Sequence, residues 1–144
     1  MYPDIIDPTL GNLHYEDRLG WYETAVTHCG TRVRVCLSTD ESGDVTRPLE
    51  FARRIIGQIV RYSDIAKDYA ASQLLNLKNE AWLDDDEDPL TLNQFKDRVR
   101  LESIVCYSSE GATFYHEDGD LFCGHCIELR MNSNHEFTEA CIAG

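Results

Sequence analysis

Apolar and polar residues alternate with period two at both ends of the chain and recur at helical spacing in its middle. Leu13 and Tyr15 alternate with His14 and Glu16, and a turn at Asp17-Arg18-Leu19-Gly20 leads into residues 21–27. His28-Cys29-Gly30 then turns the chain into residues 31–37. There Val33, Val35 and Leu37 point one way while Arg32, Arg34 and Cys36 point the other, as on a strand with one buried face. Three antiparallel strands in a meander are predicted.

The period then changes. After a polar loop over 39–44, Ala52, Ile55, Ile56, Ile59 and Ser63 fall at helical spacing, with Pro48 and Glu50 in the first turn. Ser63-Asp64 supplies a break and a fresh N-cap. The second helix carries Ala66, Tyr69, Ala70, Gln73 and Leu77 on one face and ends near Trp82-Leu83. Thr91-Leu92-Asn93-Gln94 fits a capping box, which opens a short third helix through Phe95 and Val99. Beyond it the pattern is β again, over 101–107, 113–116, 121–131 and 137–142, with an Asp-Gly hairpin turn at Asp118-Gly119.

This order predicts one α+β domain over residues 1–144. Its antiparallel sheet comes from N- and C-terminal β-meanders, and a central pair of helices and a third short helix pack on one face. Residues 1–10, with Pro3 and Pro8, read as a loosely held arm.

Composition adds one unusual feature. The 144 residues are 42% apolar and 27% charged, ordinary for a globular chain, but 26 acids against 13 bases give a net charge of −13. That charge argues against a nucleic-acid backbone or an anionic membrane as partner; a basic protein partner is physically welcome, but high acidity more often serves only solubility. The N-terminus has no basic region followed by an apolar run, and no stretch approaches ~18 consecutive apolar residues. A cytoplasmic location is expected, with the six cysteines as reduced thiols.

Cys123-Gly124-His125-Cys126 matches the active-site string of disulfide isomerases. Catalysis there needs a thiolate at a helix N-terminus after a buried parallel strand. Here the flanks predict strand on both sides, with Leu121, Cys123, His125, Ile127, Leu129 and Met131 on one face. Three steps along a strand carry Cα about 10 Å, too far for a disulfide. Zinc is the other use of Cys123 and Cys126, with His125, His28, Cys29 or Cys36, but only one of the two expected ligand pairs is present. The simpler reading makes Cys106, Cys123 and Cys141 small buried hydrophobes.

Of five histidines, His125 is the one that the strand pattern sets on an apolar face, as a core or cleft residue. The run Asp84-Asp85-Asp86-Glu87-Asp88 lacks the spacing of a calcium loop and reads as a solvated acidic loop, or a dock for a basic surface. Trp21 and Trp82 read first as core or core-rim residues, with anchoring of an interface as their functional alternative. No phosphate loop and no nucleophile elbow occurs.

An ordered set of landmarks runs along the chain: Asp17-Arg18 with Trp21, Leu74-Leu75-Asn76-Leu77 with Asn79-x-x-Trp82, and Phe95 with Arg98 and Leu101. Asp118-Gly119-Asp120-Leu121-Phe122-Cys123-Gly124-His125 and a final Ala143-Gly144 complete it. In these the chain resembles a family of small uncharacterised bacterial proteins, domain of unknown function 2262. The resemblance implies an aromatic where this chain has Cys123, which makes Gly124 and His125 the family-level feature. It implies no activity, cofactor or catalytic set.

The expected function is protein–protein contact, as in immunity or antitoxin-like proteins that mask a basic partner, without catalytic residues, cofactor or metal. The alternative is a small-ligand or enzymatic cleft around His125, and a thiol-redox or zinc role for Cys123 and Cys126 ranks below it. Candidate functional residues are Gly124, His125, Trp21, Trp82, Asp84, Asp85 and Asp86.

Overall fold

A computed structural model describes residues 2–143. Strands β1 (Ile5–Asp7), β2 (Gly11–Glu16), β3 (Trp21–His28) and β4 (Thr31–Ser38) precede helices α1 (Thr46–Gly57), α2 (Ile59–Ala81) and α3 (Leu92–Arg98). Strands β5 (Arg100–Cys106), β6 (Ala112–Glu117), β7 (Cys126–Met131) and β8 (Phe137–Ala143) follow. All eight form one sheet in chain order. Within each half the neighbours are antiparallel, and β4 pairs with β5 in parallel. A parallel pair requires a crossover, which the three helices supply. The fold is the expected α+β domain with helices on one face. The single parallel join is a property of the crossover that alternation cannot reveal.

The core lies between helices and sheet. Val33, Val35, Leu37, Ile104, Phe114, Ile127 and Leu129 are fully buried from four central strands. Helix α1 packs on β4 and β5, and α2 packs on β7 and β8. Ala66, Ala70 and Ala71 on the buried side of α2 allow the close approach. The row continues as Leu74 and Lys78, whereas Leu77, expected in the core, is 40% exposed. The buried ridge follows the i, i+4 row from Ala66, and Lys78 reaches the core because its ammonium finds partners.

Two boundaries differ from expectation. The helices part at Gln58 (φ −134°, ψ 42°), just after Gly57, and Ser63 is buried inside α2. Glycine is the weaker helix former at that joint. The presumed loose arm is fastened, with Met1 outside the described residues. Its strand β1 pairs with β2, and buried Asp7 accepts the N–H groups of Thr9 (2.9 Å) and Leu10 (3.0 Å) and the Arg53 guanidinium. Burial raises the Asp7 pKa, but these bonds together outweigh it and hold the carboxyl below its usual range. The capping box of α3 forms as expected: Thr91 Oγ1 accepts the Gln94 N–H, and Gln94 Oε1 accepts the Thr91 N–H.

Candidate functional site

The Asp-Gly turn is wider than a tight hairpin. Strand β6 ends at Glu117 and β7 begins at Cys126, so residues 118–125 form a loop where strand was expected from 121. Asp118, 4% exposed, organises it by accepting three backbone N–H groups, from Asp120 (2.9 Å), Phe122 (2.9 Å) and Gly124 (3.0 Å). Cys123 (φ 58°) and Gly124 (φ 85°) are left-handed, which folds the chain back on itself. Leu121 and Phe122 are both buried as a plug, rather than on opposite faces.

A side chain at Gly119 would put its Cβ 2.3 Å from the Arg98 carbonyl oxygen, so only glycine fits there. Arg98 in turn donates to the Gly119 carbonyl from Nε (3.1 Å) and Nη2 (2.5 Å). Phe122 meets the Trp82 ring edge-on at 5.5 Å and Phe95 at 6.3 Å. Asn79 clasps Leu90 through its N–H and its carbonyl, which closes the acidic loop behind α2. Trp82, Phe95, Phe122 and His125 thus meet at one corner, and Arg98 ties the loop down at Gly119. Most of the ordered landmarks are scaffold.

His125 is half-buried at that corner. Its Nδ1 bonds the Phe122 carbonyl at 2.5 Å and its ring meets Trp82 edge-on at 5.7 Å. With Nδ1–H donating, the neutral ring presents Nε2 as its acceptor. Beside it lies a hollow of about 370 Å³, lined among others by Glu102, Glu117, Asp118, Asp120 and Cys126. Small-ligand sites begin near ~300 Å³ but are mostly apolar, and these walls carry four carboxylates beside His116, His125 and Cys126. Asp118 is already spent on the loop.

The thiols do not form a centre. All six cysteines are free, and Cys123 is exposed instead of buried. Cys141 is half-buried, so of the three expected core thiols only Cys106 is in the core. Among the described residues no group of three His, Cys, Asp or Glu side chains could hold a metal ion. Burial pushes the Cys36 thiol up to about 11, and raises Cys106 further still. Neither is a ready nucleophile at neutral pH.

Asp84, Asp85 and Asp86 are exposed on the loop that follows Trp82, while Glu87 turns inward to the buried Lys78 ammonium (2.8 Å) and Arg98 (3.5 Å). The run is therefore part solvated loop and part internal tie. Trp21 is elsewhere. It lies on the sheet face that the helices leave open, and donates from Nε1 to Glu23 (2.8 Å). Glu23 also receives Arg34 at 2.6 Å. Burial raises the Glu23 pKa, but the indole and guanidinium outweigh it and hold the carboxyl down.

Around Trp21 the open face has a cleft of about 230 Å³, with Cys36 and Val105 as floor and Glu102, Tyr107 and Tyr115 among its walls. Tyr115 pairs across strands with Ser103 on one side and Glu128 on the other. Burial, with Tyr107 and Glu128 nearby, pushes the Tyr115 hydroxyl up to about 12. Sequence reasoning missed Tyr107, Tyr115 and Glu102. For Tyr115 the signal was the alternation itself, since it points outward on β6 between buried Phe114 and His116, whereas Glu102 stands at a register slip of β5 and Tyr107 just beyond that strand's end.

Residues 7–142 match the family described as "Uncharacterized protein conserved in bacteria (DUF2262)". The chain belongs to that family. No curated protein and no solved structure matches it. Among the described residues no helix is long and apolar enough to cross a membrane. Of the candidate residues, the structure brings Trp82, Gly124 and His125 together, sets Asp84, Asp85 and Asp86 on the neighbouring loop, and leaves Trp21 on the far side of the sheet. The two places are nonetheless continuous, because Glu102 and Cys126 line both the His125 hollow and the Trp21 cleft.

Proposed function

We propose that this protein acts through protein–protein contact, presenting the open face of its sheet to a basic partner, as immunity or antitoxin-like proteins do. The observation that carries this reading is the chemistry of that face. An eight-stranded sheet is covered by helices on one side only. Its other side offers Trp21, Tyr107 and Tyr115 amid Glu16, Glu102, Glu117 and Glu128. Aromatic anchors with a carboxylate rim suit a partner rich in lysine and arginine. Long-range attraction from a net charge of −13 would speed encounter and weaken as salt rises.

Capture from bacterial extract at low and high salt tests it, with wild type beside a Glu102→Lys/Glu128→Lys double variant. A basic protein retained at low salt, lost at high salt and lost with the variant is expected. Retention by the variant at wild-type level contradicts the reading.

A second reading takes the His125 hollow as a small-ligand site, favoured by a ring whose Nδ1 is bonded to the Phe122 carbonyl and whose Nε2 has no hydrogen-bond partner among the described residues. A ligand there should shift the His125 ring resonances and leave Trp21 unmoved. A wild-type response that survives His125→Ala rules it out.

A further inference from the structure

We infer that the cleft between Trp21, Tyr107 and Tyr115 receives the guanidinium of an arginine from the partner protein, with Glu102 as its counter-ion. This rests on the open face being the contact surface, and it specifies what that surface reads.

Size comes first. At about 230 Å³ the cleft is smaller than the ~300–1,000 Å³ of small-molecule sites, so it suits one inserted side chain. The floor is apolar, with Cys36 1% and Val105 6% exposed, and would cover the methylene stem of a long side chain. The walls are aromatic, and ring faces attract cations, the planar guanidinium best of all because it also stacks.

Charge decides the sign of the occupant. Arg34 lines the same cleft, but its guanidinium is already bonded to Glu23, and the Trp21 indole donates to that same carboxylate. The pair forms a closed, neutral wall. Glu102 is different. It is exposed and takes part in none of the ion pairs found among the described residues.

The backbone explains why Glu102 stands there. The β5–β6 register slips between Leu101 and Ser103, so Glu102 is the extra residue of a β-bulge. Bulges re-aim side chains at the edges of functional surfaces. Leu101 stays in the core while Glu102 and Ser103 both leave it. Glu128, directly across from Tyr115, also joins none of those ion pairs and reinforces the negative rim. A second copy of this chain would bring its own net charge of −13 towards Glu102 and Glu128, unpaired among the described residues.

The test is an NMR titration of the full chain with N-acetyl-arginine methylamide, whose only charge is the side chain, against its neutral citrulline counterpart. The chain has two indole signals, from Trp21 and Trp82. Saturable shifts of the Trp21 indole, Tyr107 and Tyr115 with arginine are expected, with Trp82 unmoved and no response to citrulline. Glu102→Gln should weaken the response several-fold while leaving the remaining spectrum unchanged, and Trp21→Leu should abolish it. No saturable shift, an equal response to citrulline, or full retention in Glu102→Gln overturns the inference. So does a concentration-dependent shift of the same signals without probe, which would assign the cleft to a second copy. If a basic partner binds the open face but blocked arginine does not bind the cleft, the arginine assignment fails alone. If partners bind the helical side, the surface assignment fails with it.

Discussion

The Asp118 carboxylate reaches six residues along the chain to accept the Gly124 N–H at 3.0 Å, and this bond closes the loop on which His125 is carried. The same Oδ2 accepts the Phe122 N–H, and Oδ1 accepts that of Asp120. A string that reads as a redox motif is thereby explained as a loop wound on one buried side chain.

Asp118→Ala should leave three N–H groups without their acceptor and cost about 2–4 kcal/mol in urea unfolding. Asp118→Asn keeps an acceptor oxygen and should cost less. Gly119→Ala should also destabilise, because φ is +59° and the Arg98 carbonyl blocks the new Cβ. An Asp118→Ala chain as stable as wild type would contradict the role given to this carboxylate.

Acid should weaken the fold through His116. It is fully buried, neither ring nitrogen meets a hydrogen-bond partner among the described residues, and burial, with the Lys67 ammonium adding to it, pushes its pKa down to about 3. An unfolded histidine titrates near ~6.5. Below that pH the unfolded chain binds a proton that the folded chain refuses, so stability falls by ~1.4 kcal/mol per pH unit until the pH nears the folded value. Between pH 7 and pH 5, His116→Leu should therefore lose about 2 kcal/mol less than wild type. Equal losses would show that His116 charges freely in the folded state.

Thiol reactivity should follow burial. Cys29 and Cys123 are exposed, whereas Cys36 and Cys106 are buried with raised pKa values. At pH 7.5 Ellman's reagent should label the first pair in the folded protein and the second only in denaturant. The wild type should show no insulin reduction above background. A rate that Cys123→Ser abolishes would restore the redox reading.

Much of the fold was legible because one-sided burial leaves a period. The alternation of Val33, Val35 and Leu37 against Arg32, Arg34 and Cys36 marks β4, and the box Thr91–Gln94 marks the start of α3. The loop at 118–125 was not legible. Leu121, Cys123 and His125 extend the alternation of β7 by coincidence, and only the inward turn of Asp118 breaks it. Lys78 was hidden for a similar reason: its burial depends on the Trp82 carbonyl and on Glu87, nine residues away. Trp82 and His125 could be named from sequence, but their edge-on contact arises from tertiary packing. The Trp21 cleft needed the strand order, since β3, β4, β5 and β6 together build it.

The central claim is that the open sheet face is the surface this protein uses. Site-specific photo-crosslinking in living bacteria tests it most directly, with the crosslinker at Ser103 on the open face or at Val60, 72% exposed on α2. An adduct with a basic protein from Ser103, absent from Val60 and abolished by Glu102→Lys/Glu128→Lys, is the predicted result. Adducts from Val60 with none from Ser103 would contradict it.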